Sequence, residues 1–301
     1  MGAGQGHRAA GAGRPLGVAG GGVPADRQGF GGQVSATGIE TRPGAAARTG
    51  TRDRLTALAR AELTLLGRNK TTLFMALLMP LIMAFALHRA VAEMPLEKNG
   101  LSVGTALLPG TIGFVLIFAV YGTVTGALVT RREELVLKRL RCGELTDREI
   151  LAGTALPTVL IGLAQCVLLV VCGGLALKVD LPRAPHLLLL GVLLGMVIVV
   201  AMAAASTAIT KSAEAASLTT LPFVFVSMAG SGMVAPLDIF PDRVAAVLEL
   251  LPLSPVMGLV RDGWLGEGDL TDTLKRLVIA LAWAGLAVFA VRRWFRWEPR
   301  H

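Results

Sequence analysis

Charged residues are almost missing from six long stretches of this 301-residue chain. These stretches cover residues 71–87, 105–129, 150–177, 187–210, 213–235 and 277–291, and Glu214 is the single charged residue inside them. A hydrocarbon core about 30 Å thick needs roughly 20 apolar residues in a helix, and most of the stretches meet that length. The sequence therefore predicts an all-α membrane protein with six transmembrane helices.

Ionisable groups at membrane depth are also scarce. His7, His88, His186 and His301 all lie outside the six stretches, and Gln165 is the strongest uncharged polar group within them. Proteins driven by a proton or ion gradient usually place ionisable side chains inside the membrane. We therefore expect any transport to draw its energy from elsewhere, with a gradient-driven secondary transporter or a non-transporting membrane scaffold as the alternatives.

Catalytic and metal-binding motifs are missing as well. The three cysteines, Cys142, Cys166 and Cys172, form neither a disulfide framework nor a CxxC pair. The chain contains no HExxH and no GxxxxGK followed by Ser or Thr. We expect no catalytic, cofactor-binding or metal site in this chain, and no enzymatic activity of its own.

The first part of the chain differs in composition from the rest. Fifteen of the first 50 residues are glycine, with little to bury, so residues 1–52 are predicted to form a disordered Gly/Ala/Arg-rich tail. Residues 53–301 form the predicted six-span domain. It begins with an amphipathic interfacial helix, because Leu55, Leu58, Leu63 and Leu66 recur at helical spacing between basic residues.

Basic residues are unevenly distributed between the two sides of the predicted spans. Segments 51–71, 130–149, 210–214 and 292–301 hold 16 Lys and Arg, whereas segments 88–104, 178–186 and 236–276 hold eight. The positive-inside bias then predicts cytoplasmic N- and C-termini. These basic residues lie beside the spans, so the net charge of +8 indicates membrane topology and not a nucleic-acid partner.

The segment 131–149 carries eleven charges in nineteen residues, six basic and five acidic. Leu135, Leu137 and Leu140 give it an apolar element that Gly143 interrupts, and Thr146 with Glu149 forms a capping-box pattern before the third span. One interpretation is a solvated loop that fixes topology. The other is a short helix that docks on a cytoplasmic partner.

Two further patterns concern helix packing. Gly122 with Gly126, and Gly191 with Gly195, are GxxxG pairs that suit either helix packing within the chain or a dimer seam. Residues 236–276 are too apolar for an ordinary loop and too interrupted by proline for a span. They are predicted to form re-entrant or interfacial helices between spans five and six.

The order of these features resembles the membrane subunit of type-two ATP-binding-cassette exporters. The resemblance covers residues 54–296 and includes LLPG at 107–110, RREELVLKRLRCGELTDREILAG at 131–153 and the apolar outer segment 231–266. It implies a coupling helix after the second span that contacts a nucleotide-binding subunit. By position the coupling residues are Arg131, Arg132, Glu133, Glu134, Leu135, Lys138, Arg139, Leu140 and Arg141.

The resemblance also implies a function and partners. It implies a permease of the plasma membrane that exports a hydrophobic or amphiphilic compound. Among the roles known for the family, drug or antibiotic export is favoured first and export of a lipid-like cargo second. ATP and Mg²⁺ would be bound by a separate ATPase subunit. A second copy of this chain, or a related permease, would complete a dimer.

Overall fold

The computed structural model is all-helical over the residues it describes. Those residues are 103–143, 145–176, 179–233, 237, 240–266, 268–295 and 297–298, together with isolated helical positions between 56 and 89. Five described helices are long and apolar enough to cross a membrane: Leu108–Glu133, Asp147–Leu175, Pro185–Ser206, Ala213–Gly230 and Leu270–Trp294. They correspond to the second to sixth predicted spans. The first predicted span and the amphipathic helix lie largely outside the described residues.

The first described span combines two α-helical parts with a π-helical part between them. It comprises α1 (Val103–Phe114), π1 (Val115–Gly122) and α2 (Thr123–Glu133). The remaining elements are α3 (Val136–Arg141), α4 (Asp147–Ala176), α5 (Pro185–Ser206), α6 (Ala213–Gly230), α7 (Asp242–Leu248), α8 (Ser254–Leu265) and α9 (Leu270–Trp294). Helices suit an apolar membrane because each satisfies its backbone hydrogen bonds internally.

The core lies where π1, α5 and α8 meet. A Cβ on Gly195 would lie 2.8 Å from both Leu116 Cδ1 and Val256 Cγ1, and one on Gly191 would lie 3.0 Å from Val260 Cγ2. These distances are shorter than ordinary contacts, so the two glycines are needed for close packing within the chain. The Gly191–Gly195 pair therefore lies inside the subunit.

The other GxxxG pair has a different environment. Gly122 and Gly126 are both partly buried, and no described residue lies within 4 Å of a Cβ built on Gly126. The described neighbours thus do not require glycine at this position. A dimer seam at Gly122 and Gly126 stays a prediction.

The segment between spans five and six contains two short helices, α7 and α8. The twelve residues of α8 rise about 18 Å, which is too short to cross a 30 Å core. Most of its residues are buried, among them Leu259 and Trp264. Two helices therefore lie between spans five and six, while a re-entrant or interfacial position for them stays a prediction.

Several predicted span boundaries were wrong. α2 continues to Glu133, four residues beyond its predicted end; α5 ends at Ser206 instead of 210, and α6 at Gly230 instead of 235. α9 begins at Leu270, seven residues before the apolar stretch. Its first turns are charged, and Lys275 and Arg276 pair with acidic residues of the preceding segment, so the helix extends beyond the apolar pattern.

Candidate functional site

The predicted coupling segment folds as a short helix set off from the end of a span. α2 ends at Glu133, and α3 begins after Leu135, whose φ of 59° and ψ of 14° lie in the left-handed region. Leucine avoids this region because its Cβ crowds the backbone. Leu137 is fully buried and anchors α3, whereas Lys138 and Arg139 are exposed. The segment thus forms an anchored helix with a charged outer face.

The connection from α3 to α4 follows the predicted pattern. Gly143 lies in the turn after α3, and its N–H donates to the carbonyl of Leu140 at 3.2 Å. The backbone N–H of Thr146 donates to Glu149 Oε2 at 2.7 Å, and that of Glu149 lies 3.4 Å from Thr146 Oγ1. This reciprocal arrangement is the capping box that the sequence predicts, and it starts α4.

Arg132 lies inside the protein, although it belongs to the charged segment 131–149 and was predicted as a coupling residue. Its side chain is 1% exposed. Nη1 donates to the carbonyl of Thr207 at 2.8 Å, and Nη2 to the carbonyls of Thr210 at 2.7 Å and Lys211 at 3.5 Å. These carbonyls belong to the turn after α5, where a cation also complements the helix dipole. Arg132 therefore joins the end of α2 to the α5–α6 turn and has no exposed surface for a partner.

Glu133 makes a matching contact with the next helix. The backbone N–H of Ala213 donates to Glu133 Oε1 at 3.2 Å, and that of Ala215 donates to Ser212 Oγ at 3.2 Å. A carboxylate at a helix N-terminus is favourable, because it accepts from free N–H groups and complements the positive end of the dipole. We call Arg132, Glu133 and residues 207–213 the Arg132 junction.

Residues near the C-terminus contact the exposed face of α3. Lys138 Nζ lies 3.0 Å from Glu298 Oε1, and the Arg141 guanidinium lies 4.9 Å from the centre of the Trp297 ring. Arg141 also pairs with Asp147 at 3.1 Å. The hydrogen bond and positive charge of Lys138 lower the pKa of Glu298 below its ordinary value. Lys138 and Arg141, like Arg132 and Glu133, thus already have contacts within the chain.

The structure sorts the predicted coupling residues by exposure. Glu133, Glu134, Leu135, Lys138, Arg139 and Arg141 are exposed; Arg131 and Leu140 are partly buried; Arg132 is buried. The prediction did not include Leu137, although the leucine pattern of the segment contained it. It also could not include Thr207 and Thr210, because nothing in their own sequence links them to residue 132.

A second polar cluster lies at the other end of α6. Lys275 Nζ lies 3.0 Å from Glu249 Oε2, Arg276 pairs with Asp262, and Arg261 Nη2 donates to the carbonyl of Gly232 at 3.0 Å. Glu249, Arg261, Lys275 and Arg276 line a cavity of about 80 Å³ beside α8 and α9. Among the described residues, no group of three or more His, Cys, Asp or Glu side chains is placed to hold a metal ion.

The chain belongs to the ABC-2 type transporter family, whose membrane-domain model matches residues 53–265, more than half of the sequence. It is therefore a membrane-embedded permease component of an ABC transporter, and membership of this family implies an ATP-binding partner subunit. A comparison with curated proteins finds no match.

Proposed function

We propose that this permease exports a hydrophobic or amphiphilic compound, such as a drug, an antibiotic or a lipid-like molecule, out of the cytoplasm. ATP and Mg²⁺ are bound on a separate subunit, and this chain performs no catalysis itself. The N- and C-termini are cytoplasmic, and the functional permease is a dimer of this chain or of this chain with a relative. The ATPase subunit docks on α3 and the residues around it.

The observation that carries the docking part of this proposal is that the charged segment 131–149 contains a short helix, α3, with a buried anchor. The buried Leu137 fixes α3 at the end of α2, while Glu134, Lys138 and Arg139 are exposed to solvent. Mixed charge on a rigid helix suits docking, because complementary charges set the orientation of a partner. A solvated loop needs no buried anchor of this kind.

The properties of the spans support an apolar cargo. Large apolar side chains are exposed along one stripe of α6, at Leu218, Leu221, Phe225 and Val226. The cavity beside α9 is about 80 Å³, whereas pockets for drug-sized molecules typically occupy roughly 300–1,000 Å³. A drug-sized cargo therefore does not fit that cavity, and a path formed between two subunits meets the size requirement better.

Co-purification tests the docking proposal. The tagged chain, purified in mild detergent from its own host, should carry a stoichiometric ATPase subunit and hydrolyse ATP. The double variant Glu134→Gln with Arg139→Gln should lose most of that subunit, because it removes one acid and one base from the exposed face. A chain that always purifies alone and hydrolyses nothing would contradict the proposal and favour a scaffold.

A matched control exists at the other end of α6. The variant Asp242→Asn with Arg243→Gln likewise removes one acid and one base from exposed positions, here at the start of the short helix α7. It should retain the ATPase subunit at the wild-type level. Equal loss in both double variants would show that charge removal in general, and not α3, controls assembly.

Orientation can be tested with Cys142, which is exposed at the end of α3. A membrane-impermeant maleimide should label it in inverted vesicles and leave it unlabelled in intact cells. The variant Cys142→Ser identifies any signal from Cys166 or Cys172. Labelling from the outside of intact cells would reverse the proposed topology.

A further inference from the structure

Arg132 is a basic residue of the predicted docking segment that a docked subunit cannot touch. A buried guanidinium is costly unless its donors are paired, and here it donates to three carbonyls of the α5–α6 turn. Its planar fork of donors suits carbonyls that approach from different directions. The geometry therefore gives Arg132 an internal contact role instead of a surface one.

The Arg132 junction joins three spans. Glu133 accepts from Ala213 at the start of α6, so consecutive residues of α2 hold the end of one helix and the start of the next. Thr210 of the junction also contacts α6, since its Oγ1 lies 2.7 Å from Thr219 Oγ1. One turn of polar contacts thus ties α2 to both α5 and α6.

The joint between α2 and α3 is short. Only Glu134 and Leu135 separate the two helices, and the N–H of Glu134 and that of Leu135 donate to carbonyls of Thr130 and Arg132 at 2.9 Å and 3.1 Å. α3 is therefore attached to α2 through hydrogen-bonded backbone, without a loose linker. A displacement of α3 must then act on the residue that holds the α5–α6 turn.

We propose that Arg132 transmits the displacement of α3 to α5 and α6, and that it acts as a positioning residue without touching the ATPase subunit or the cargo. This inference rests on the proposed function, because it requires an ATPase subunit that moves α3. Removing the guanidinium should separate the two responses. α3 would still move with the ATPase subunit, but the α5–α6 turn would no longer follow.

The first stage of the test uses the chain alone in lipid nanodiscs. Hydrogen exchange of residues 207–213 is compared among wild type, Arg132→Lys, Arg132→Gln and Arg148→Gln. Arg148 is exposed in the first turn of α4 and provides a matched loss of one positive charge. We expect exchange to rise about tenfold or more in Arg132→Gln, less in Arg132→Lys, and not in the control. Unchanged exchange in Arg132→Gln would overturn the inference.

The second stage uses the co-purified complex with ATP, Mg²⁺ and vanadate. In wild type, exchange should change both in α3 and at residues 207–213. In the Arg132 variants, α3 should keep its change while residues 207–213 lose theirs. If Arg132→Gln does not fold, the same exchange measurement is made on Arg132→Lys. A wild-type response at residues 207–213 in the variants would overturn the inference, as would loss of the α3 response, which indicates a docking role.

The two proposals fail in different ways. If wild type binds the ATPase subunit but its α5–α6 turn does not respond to ATP, transmission through Arg132 is refuted and the docking proposal stands. If wild type binds no ATPase subunit at all, the proposed function itself fails.

Discussion

The two ends of α6 are held by different chemistry. At its start, the buried cation Arg132 bonds to carbonyls of the α5–α6 turn. At its end, a neutral hydroxyl contacts the backbone instead. Ser254 Oγ lies 2.8 Å from the carbonyl of Gly230 and 2.6 Å from that of Leu248, the last residues of α6 and α7. We call Ser254 with these two helix ends the Ser254 junction.

The two junctions should differ in how much stability the protein loses when the central side chain is removed. A guanidinium donates several hydrogen bonds at once, whereas a hydroxyl has one proton to donate and serves one carbonyl at a time. The Arg132 junction is thus the stronger joint, and it lies beside α3. The Ser254 junction joins α6, α7 and α8 with less energy, and an ion pair between α8 and α9 supplements it.

The largest predicted effect is at Arg132. Arg132→Gln should lower the free energy of unfolding by about 3 kcal/mol or more, because it leaves buried carbonyls without donors. Thermal unfolding in detergent, followed by tryptophan fluorescence, measures the loss. Arg148→Gln should remain within about 0.5 kcal/mol of wild type, and similar losses in both variants would contradict the account of a buried cap.

The next largest effect is expected for the ion pair between Asp262 and Arg276, because its side chains are only 13% and 31% exposed. A double-mutant cycle with Asp262→Asn and Arg276→Gln should give a coupling of about 1–2 kcal/mol. The matched cycle on Glu249 and Lys275, which are 46% and 58% exposed, should give about 0.5 kcal/mol or less. Equal couplings would show that burial does not distinguish the pairs.

A smaller loss is expected at the Ser254 junction. Ser254→Ala should lower the free energy of unfolding by about 1 kcal/mol. The two carbonyls share a single hydroxyl proton, so the variant loses about one net hydrogen bond. The comparison with Arg132→Gln in the same unfolding assay is the direct measure of the difference between the two ends of α6. A loss equal to that of Arg132→Gln would remove that difference.

The smallest effect concerns the exposed pair of Lys138 and Glu298. The folded-state pKa of Glu298 is lowered, so the pair stabilises the fold above the unfolded pKa and loses this contribution as the pH falls through the folded pKa. NMR titration of the Glu298 carboxyl should show the lowered pKa, and Lys138→Gln should return it to its ordinary range. An unchanged pKa in that variant would show that Lys138 is not the cause.

The sequence predicted the spans and local signals better than the long-range contacts. The capping box of Thr146 and Glu149 and the turn at Gly143 are local patterns, and both are confirmed. The carbonyls that accept from Arg132 lie 75, 78 and 79 residues further along the chain, so the charge run alone left a solvated loop and a docking helix as its two interpretations. The early start of α9 was hidden for the same reason, since its charges are paired with another element.

Protection of Cys142 tests most directly whether the ATPase subunit docks on α3. This exposed thiol follows α3, whereas Cys166 is buried. Maleimide should label Cys142 readily in the chain alone and much more slowly in the complex, with Cys142→Ser as the blank. Labelling at equal rates, with the ATPase subunit demonstrably bound, would place the docking surface elsewhere and contradict the account.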